Sequence, residues 1–407
     1  MKIITSGFAT LASIGFLLVA SSQAFAEKDL YLHQVPQIGG MVIPGAESQD
    51  FLVASNYGAL SVAPDGRVTR RSKDAGFLTE LVALPGQANV LFSSGYRTKT
   101  EKLGIIRSDD TGKTWSRISD AVGGPVAFHA MAISATEPAT MYGAEKTVQI
   151  SRDSGKTWRS MGGPPGQIYD IAVSAKNPKS IYAATHEGLF GSLDEGVTWT
   201  RLNPVTQPAT AVTTTPEGQI YAFVYGVGLL LGAEPGNNWN LVSKEFLDRA
   251  LFNISIDPAN PGRLLGVADT GAVMLSRDGG NNWIGFDGHL DKVPGRISAG
   301  EKLFNENCQA CHGAKGIGEK PDDPRAVDEN GFPLAPALND DAHGWHHADD
   351  QLMATILNGS PRNKRMPAWK DEGLTPDDAR NLVAYIKSLW SFRSLACQGG
   401  RHMRCMH

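Results

Sequence analysis

Ser108-Asp109-Asp110-Thr111-Gly112-Lys113-Thr114-Trp115 decides the fold, because it recurs. It comes back as Ser151-Arg152-Asp153-Ser154-Gly155-Lys156-Thr157-Trp158 and as Ser192-Leu193-Asp194-Glu195-Gly196-Val197-Thr198-Trp199. A looser copy is Ser276-Arg277-Asp278-Gly279-Gly280-Asn281-Asn282-Trp283, and a decayed one is Gly232-Ala233-Glu234-Pro235-Gly236-Asn237-Asn238-Trp239. Asp110, Asp153, Asp194, Glu234 and Asp278 are separated by 43, 41, 40 and 44 residues. Asp65-Gly66, 45 residues before Asp110, reads as a sixth, eroded copy. Each copy predicts a hairpin: Asp and Ser turn the backbone, Gly takes the positive-φ position, and Thr-Trp opens the next strand. The Trp ring is expected to pack between neighbouring sheets. Between copies lie β-rich runs such as 180–185 and 218–225. Several short strands per ~40-residue unit is β-propeller arithmetic, giving about six blades, or seven if the ends are irregular.

The pattern Ser-x-Asp-x-Gly-x-Thr-Trp resembles the Asp-box (BNR) repeat of sialidase-like and sortilin-like propellers and of photosystem-assembly-factor-like proteins. The resemblance covers roughly residues 28–293. It implies a fold and not a function. In that family the box is a structural hairpin on the outer rim, so Asp110, Asp153, Asp194 and Asp278 are assigned to turn stability. A sialidase would need an arginine cluster, a Tyr nucleophile with a Glu partner and, usually, an early Arg-Ile-Pro. That tripeptide is absent, and Tyr142, Tyr169, Tyr182 and Tyr221 read as core or sheet residues. Glycosidase activity is not expected.

Beyond the repeats stands Cys308-Gln309-Ala310-Cys311-His312. Two thiols three positions apart, followed by His, are what covalent attachment of a c-type haem requires. The cysteines add to the vinyl groups, and the adjacent imidazole becomes the proximal iron ligand. A zinc site would need a second Cys or His pair at finger spacing, and a thioredoxin-like dithiol would need a β-α-β surround. Neither is present. Ser298-Ala299-Gly300-Glu301 reads as a capping box opening the helix that delivers these residues. Thr375-Pro376-Asp377-Asp378 opens a last helix whose buried face is Leu382, Val383, Ile386 and Leu389.

This arrangement resembles class I monohaem cytochromes c, in which a Gly and an aromatic (here Gly300 and Phe304) face the C-terminal helix. The resemblance implies one covalent haem c held by Cys308 and Cys311, with His312 as proximal ligand. Met366, in Arg365-Met366-Pro367-Ala368-Trp369, matches the Met-Pro segment that supplies the distal thioether. Pro336 matches the proline whose carbonyl orients the proximal imidazole. His343, His346 and His347 are rivals for the distal position; they read as surface polar packing rather than a copper cluster.

The N-terminus carries Lys2, an apolar stretch and Ala24-Phe25-Ala26, which together predict a cleaved signal peptide over residues 1–26. No other stretch approaches the ~20 apolar residues of a membrane span, so an integral membrane protein is not expected. The formal charge is −4, and removing Lys2 with the peptide makes it −5, which argues against nucleic acid as a partner. The chain has 4 cysteines; with two on haem, Cys397 and Cys405 remain. They sit in a tail with His402, Met403, Met406 and His407, a ligand set suited to Cu(I). A Cys397–Cys405 disulfide is the plain alternative, and both stay open. The tail is similar to those of some cytochromes associated with copper handling.

The expectation is therefore a multidomain chain. A signal peptide (1–26) precedes an all-β six-bladed propeller (27–293), an all-α class I cytochrome c domain (296–391) and a Cys/His/Met-rich tail (392–407). The function expected is periplasmic electron transfer with a redox protein as donor or acceptor and the propeller as docking module. The alternatives are a propeller oxidoreductase using the haem as internal acceptor, and a copper-handling protein acting through the tail.

Overall fold

The computed structural model describes residues 30–391, except Pro36, 45–49, 73–75, 203–206, 245, 247–249, 270, 287–294, His343 and Arg362, together with Ser394 and Gln398. The expected signal peptide, residues 287–294 between the two domains, His343 and the expected tail ligands Cys397, His402, Met403, Cys405, Met406 and His407 lie outside the described residues.

Six four-stranded antiparallel sheets follow one another along the chain, each with its strands in sequence order. They occupy residues 38–70, 77–119, 130–162, 168–201, 209–243 and 251–285 and are the six blades of a propeller. Among the described residues no seventh sheet intervenes at the closure: Phe51, Val53 and Leu60 of blade one share a core with Leu265, Val267 and Leu275 of blade six. Phe51 also meets Phe286 edge-on at 4.8 Å. Apolar burial thus seals the ring, at about 1.5–3 kcal/mol for each large side chain removed from water.

Every repeat copy forms the hairpin between the third and fourth strands of its blade. In the first full copy, Gly112 N donates to Ser108 Oγ (2.8 Å) and Lys113 N and Thr114 N donate to Asp110 Oδ1 (3.0 and 2.9 Å). Thr114 Oγ1 donates to Asp110 Oδ2 (2.6 Å), and Trp115 Nε1 donates to Gly112 O (3.1 Å). These bonds hold the carboxyls of Asp110, Asp153, Asp194 and Asp278 below the ordinary range, the side-chain bond to the Thr or Asn four residues on contributing most. The box carboxylate is thus consumed by its own turn. The residue before the glycine is left-handed too, at φ 60° in Thr111, 59° in Ser154 and 66° in Glu195. In the decayed copy Glu234 serves another purpose, accepting from Ser174 Oγ of the preceding blade at 2.6 Å.

Around the axis, side chains of the innermost strands bond backbone of the neighbouring blade. Thr79 Oγ1 donates to Phe128 O (2.6 Å), Thr210 Oγ1 to Leu251 O (2.8 Å) and Ser255 Oγ to Met41 O (2.7 Å). Asp170 Oδ2 accepts from Val212 N at 2.9 Å. Tyr142, Tyr182 and Tyr221 are buried as expected, but Tyr169 is only half-buried. It occupies an inner-strand bulge, with Phe252 edge-on at 6.2 Å and His186 Nδ1 3.2 Å from its hydroxyl.

The helical part contains α1 (Gly295–Asn307), α2 (Gln309–His312), α3 (Asp349–Asn358) and α4 (Pro376–Ser388). Helix α1 begins at Gly295, so Ser298 lies inside it and the expected capping box at Ser298 does not form. The box of α4 does form: Asp378 N donates to Thr375 Oγ1 (3.2 Å) and Thr375 N to Asp378 Oδ2 (2.9 Å). Helices α1 and α4 cross at Gly300, where a Cβ would lie 1.9 Å from Asn381 O. One turn on, Phe304 meets Tyr385 at 5.1 Å. Leu382, Val383, Ile386 and Trp390 complete the core.

Propeller and helical domain touch at blade five. Leu241 packs against the helical core, and Lys244 Nζ donates to Ser388 O (3.2 Å) and to Trp390 O at the end of α4. A cation there complements the carbonyl end of the helix.

Candidate functional site

Cys308 continues α1, its N–H donating to Phe304 O (2.8 Å), and His312 N returns to Cys308 O (2.9 Å). This turn places the three motif residues together: Cys308 half-buried, Cys311 exposed, and His312 only 8% exposed. No disulfide joins the thiols. Burial, aided by the Cys311 thiol, pushes the Cys308 thiol up to about 11.

The chain then doubles back beneath the imidazole. Gly318 N donates to His312 O (2.7 Å), Leu338 N to Gly316 O (2.7 Å) and Glu319 N to Ala335 O (3.0 Å). The two segments approach so closely that a Cβ on Gly318, at φ 92°, would sit 2.9 Å from Ala337 N. That approach brings Pro336 O to 2.8 Å from His312 Nδ1. A carbonyl only accepts, so Nδ1 carries the proton. Burial pulls the imidazole's pKa below its usual value, against the opposing pull of the Pro336 bond. The neutral ring therefore presents Nε2 as a lone pair, which has no hydrogen-bond partner among the described residues. Trp390 Nε1 donates to Leu338 O (2.7 Å) and supports the same loop from the core.

Met366 is half-buried in a turn closed by its N–H to Asn363 O at 3.1 Å. Gly359, at φ 76°, lies under it, where a Cβ would come within 2.8 Å of Met366 O. The neighbouring Arg365 pairs with Glu319 (2.8 Å) and Asp328 (3.5 Å). The bond from Arg365 holds the Glu319 carboxyl below its usual value. Sequence reasoning quoted Arg365 only as part of the Met-Pro motif and missed Glu319, Asp328 and Gly359, whose partners are remote in the chain.

His346 is half-buried with its ring 4.1 Å from that of Trp345, and His347 is exposed. Among the described residues no group of three His, Cys, Asp or Glu could hold a metal ion. A cavity of about 470 Å³ is lined by Ile317, Pro336, Ala337, Trp345 and His346, but by none of Cys308, His312 or Met366. Trp345 Nε1 is buried without an acceptor among the described residues.

These residues fit a covalently held haem. The two thiols are unpaired, the imidazole is neutral with Nε2 free, and the orphaned indole N–H of Trp345 lacks the kind of acceptor that a porphyrin carboxylate provides.

Comparison with known proteins agrees for this part of the chain. Residues 295–386 match the family described as cytochrome C oxidase, cbb3-type, subunit III. The cbb3-type cytochrome c oxidase subunit CcoP of Rubrivivax gelatinosus is 37% identical over 100 residues, covering 25% of this chain and 28% of the relative. The subunit FixP of Sinorhizobium medicae is 32% identical over 100 residues, covering 23% and 30%. The cytochrome bc1 complex cytochrome c subunit of Corynebacterium efficiens is 28% identical over 120 residues, covering 30% and 33%. The chain thus spans about a third or less of the length of these relatives. Among solved structures, the GH74 enzyme of Niastella koreensis has a TM-score of 0.44 at 16% identity, covering 62% of this chain and 46% of that one. YCF48 bound to D1 peptide has a TM-score of 0.42 at 17% identity, covering 63% and 82%. Likenesses of that strength carry no argument about function, and the blade count rests on the strand order. The C-terminal part of the chain is a cbb3-type cytochrome c domain, following a six-bladed propeller.

Proposed function

We propose that this chain is a periplasmic electron carrier in which Cys308 and Cys311 hold one haem, His312 and Met366 ligate its iron, and the propeller docks a redox partner or envelope component. Its C-terminal domain belongs to a family of haem-based electron-transfer cytochromes. The observation that carries the ligation is the 2.8 Å bond from His312 Nδ1 to Pro336 O. It fixes the ring plane, keeps the proton off Nε2 and makes the imidazole a stronger donor.

Bound haem would supply one-electron chemistry, at a potential that thioether ligation by Met366 would raise. The protein's part is to keep both ligands still. His312 is tethered through Pro336, and Met366 through its own turn and Gly359. Small ligand movement between redox states favours electron transfer. The apolar core around Phe304, Tyr385 and Trp390 excludes water and disfavours added charge, raising the potential further. The propeller supports this frame through Lys244 and Leu241.

Covalent attachment is tested by expression in a cytochrome-maturing periplasm. The haem should stay with the chain on a denaturing gel, and Cys308→Ser with Cys311→Ser should release it while the propeller's circular dichroism persists. Haem that remains covalently bound in the double variant would refute the assignment.

A further inference from the structure

Two loops that meet the site from different parts of the chain are joined by one side chain. Arg365 Nη2 reaches Glu319 Oε1 at 2.8 Å, its Nε lies 3.5 Å from Asp328 Oδ2, and its Nη1 lies 3.5 Å from Pro333 O. Glu319 Oε2 in turn accepts from Ala335 N at 2.9 Å, one residue before the Pro336 carbonyl that holds His312. Asn363 adds a parallel strap, its Nδ2 donating to Pro333 O at 2.7 Å while its Oδ1 accepts from Arg365 N at 3.0 Å. The pair is partly solvent-exposed, so its weight comes from the number of bonds that converge on Arg365 and not from burial. A guanidinium is a planar fork that can serve a carboxylate and a carbonyl at once, which a lysine ammonium does less well.

We propose that Arg365 is a positioning residue that clasps the Met366 turn to the Glu319–Pro336 loop, so that one ion pair holds the proximal and distal segments in a fixed relation. This rests on Met366 being the distal ligand. The clasp joins the two segments alongside the Asn363 strap. Releasing it frees the Met366 turn to swing while leaving the thiols and His312 untouched. Methionine ligation then becomes easier to displace, with covalent attachment unaffected.

The test uses the full chain with haem attached and imidazole as the displacing probe for the ferric state. Arg365→Met and Glu319→Gln should each retain stoichiometric covalent haem and the parent's reduced spectrum. Each should bind imidazole about ten-fold more tightly and show a lowered midpoint potential. The double variant should go no further than Arg365→Met, because that change already removes the bond to Glu319. Arg365→Lys, which keeps charge without the fork, should fall between. Imidazole affinities within about two-fold of the parent in both single variants, with Met366→Ala still abolishing the sulfur-to-iron absorption band, would overturn the clasp and leave Met366 ligation standing. Persistence of that band in Met366→Ala would instead remove the ligation on which the clasp depends.

Discussion

Asp170 should make propeller stability depend on pH in the direction opposite to most carboxylates. It is 9% exposed on the innermost strand of blade four, and burial raises its pKa from 3.8 to about 7, against the pull of N–H bonds from Ile171 (2.8 Å) and Val212 (2.9 Å). In the unfolded chain the carboxyl loses its proton near 3.8. Between that value and about 7 the folded state binds the extra proton, so stability falls as pH rises through this window. The contribution is fully present below the unfolded pKa and lost above the folded one. Glu80, buried and facing the Asp170 charge, shifts the same way. From pH 5 to 8 the Asp170 share is about two pKa units, or about 3 kcal/mol. Urea unfolding followed by tryptophan fluorescence at both pH values, in the parent and Asp170→Asn, isolates it. The amide cannot accept from both N–H groups and should cost about 1–3 kcal/mol at pH 5. The gap between variant and parent should then close or reverse by pH 8. A gap that stays constant across the range would refute the argument that burial dominates at this site.

Three further outcomes follow from the geometry. Gly359→Ala places a Cβ 2.8 Å from Met366 O at a φ of 76°, so covalent haem should remain while the ferric sulfur-ligation band weakens or disappears. Lys244→Met removes the cation from Ser388 O and Trp390 O, and should destabilise the helical domain by about 1–3 kcal/mol in urea unfolding and speed proteolysis after blade five, with the propeller transition unchanged. Deleting residues 397–407 should abolish copper binding without altering the haem spectrum if the tail is a copper site; unchanged copper affinity, read by calorimetry on the reduced protein, would rule that role out.

What was legible in the sequence was local. The Asp-box turns bond within five residues, and the Thr375 cap within three, so their patterns survive in the chain as written. The covalent motif is likewise five consecutive residues, and Pro336 was reachable by resemblance. What was hidden is what the fold brings together over distance. Arg365 and Glu319 are 46 residues apart, and Lys244 and Ser388 144. The cross-blade bonds of Thr79, Asp170 and Thr210 depend on bulges that no local pattern announced. The start of α1 was misjudged because Ser298 and Glu301 have capping-box spacing while the helix already runs from Gly295. Tyr169 is the sheet residue that the sequence allowed, but its half-burial was not legible because alternation does not mark the bulge between Ile168 and Asp170.

The most direct test of the central claim is the optical spectrum of the periplasmically expressed full chain, oxidised and reduced, beside Met366→Ala. The predicted result is a low-spin c-type spectrum with a weak ferric band near 695 nm, the marker of sulfur bound to iron, which Met366→Ala abolishes. A high-spin spectrum, or a band indifferent to Met366→Ala, would contradict His312/Met366 ligation and with it the assignment of this chain as an electron carrier.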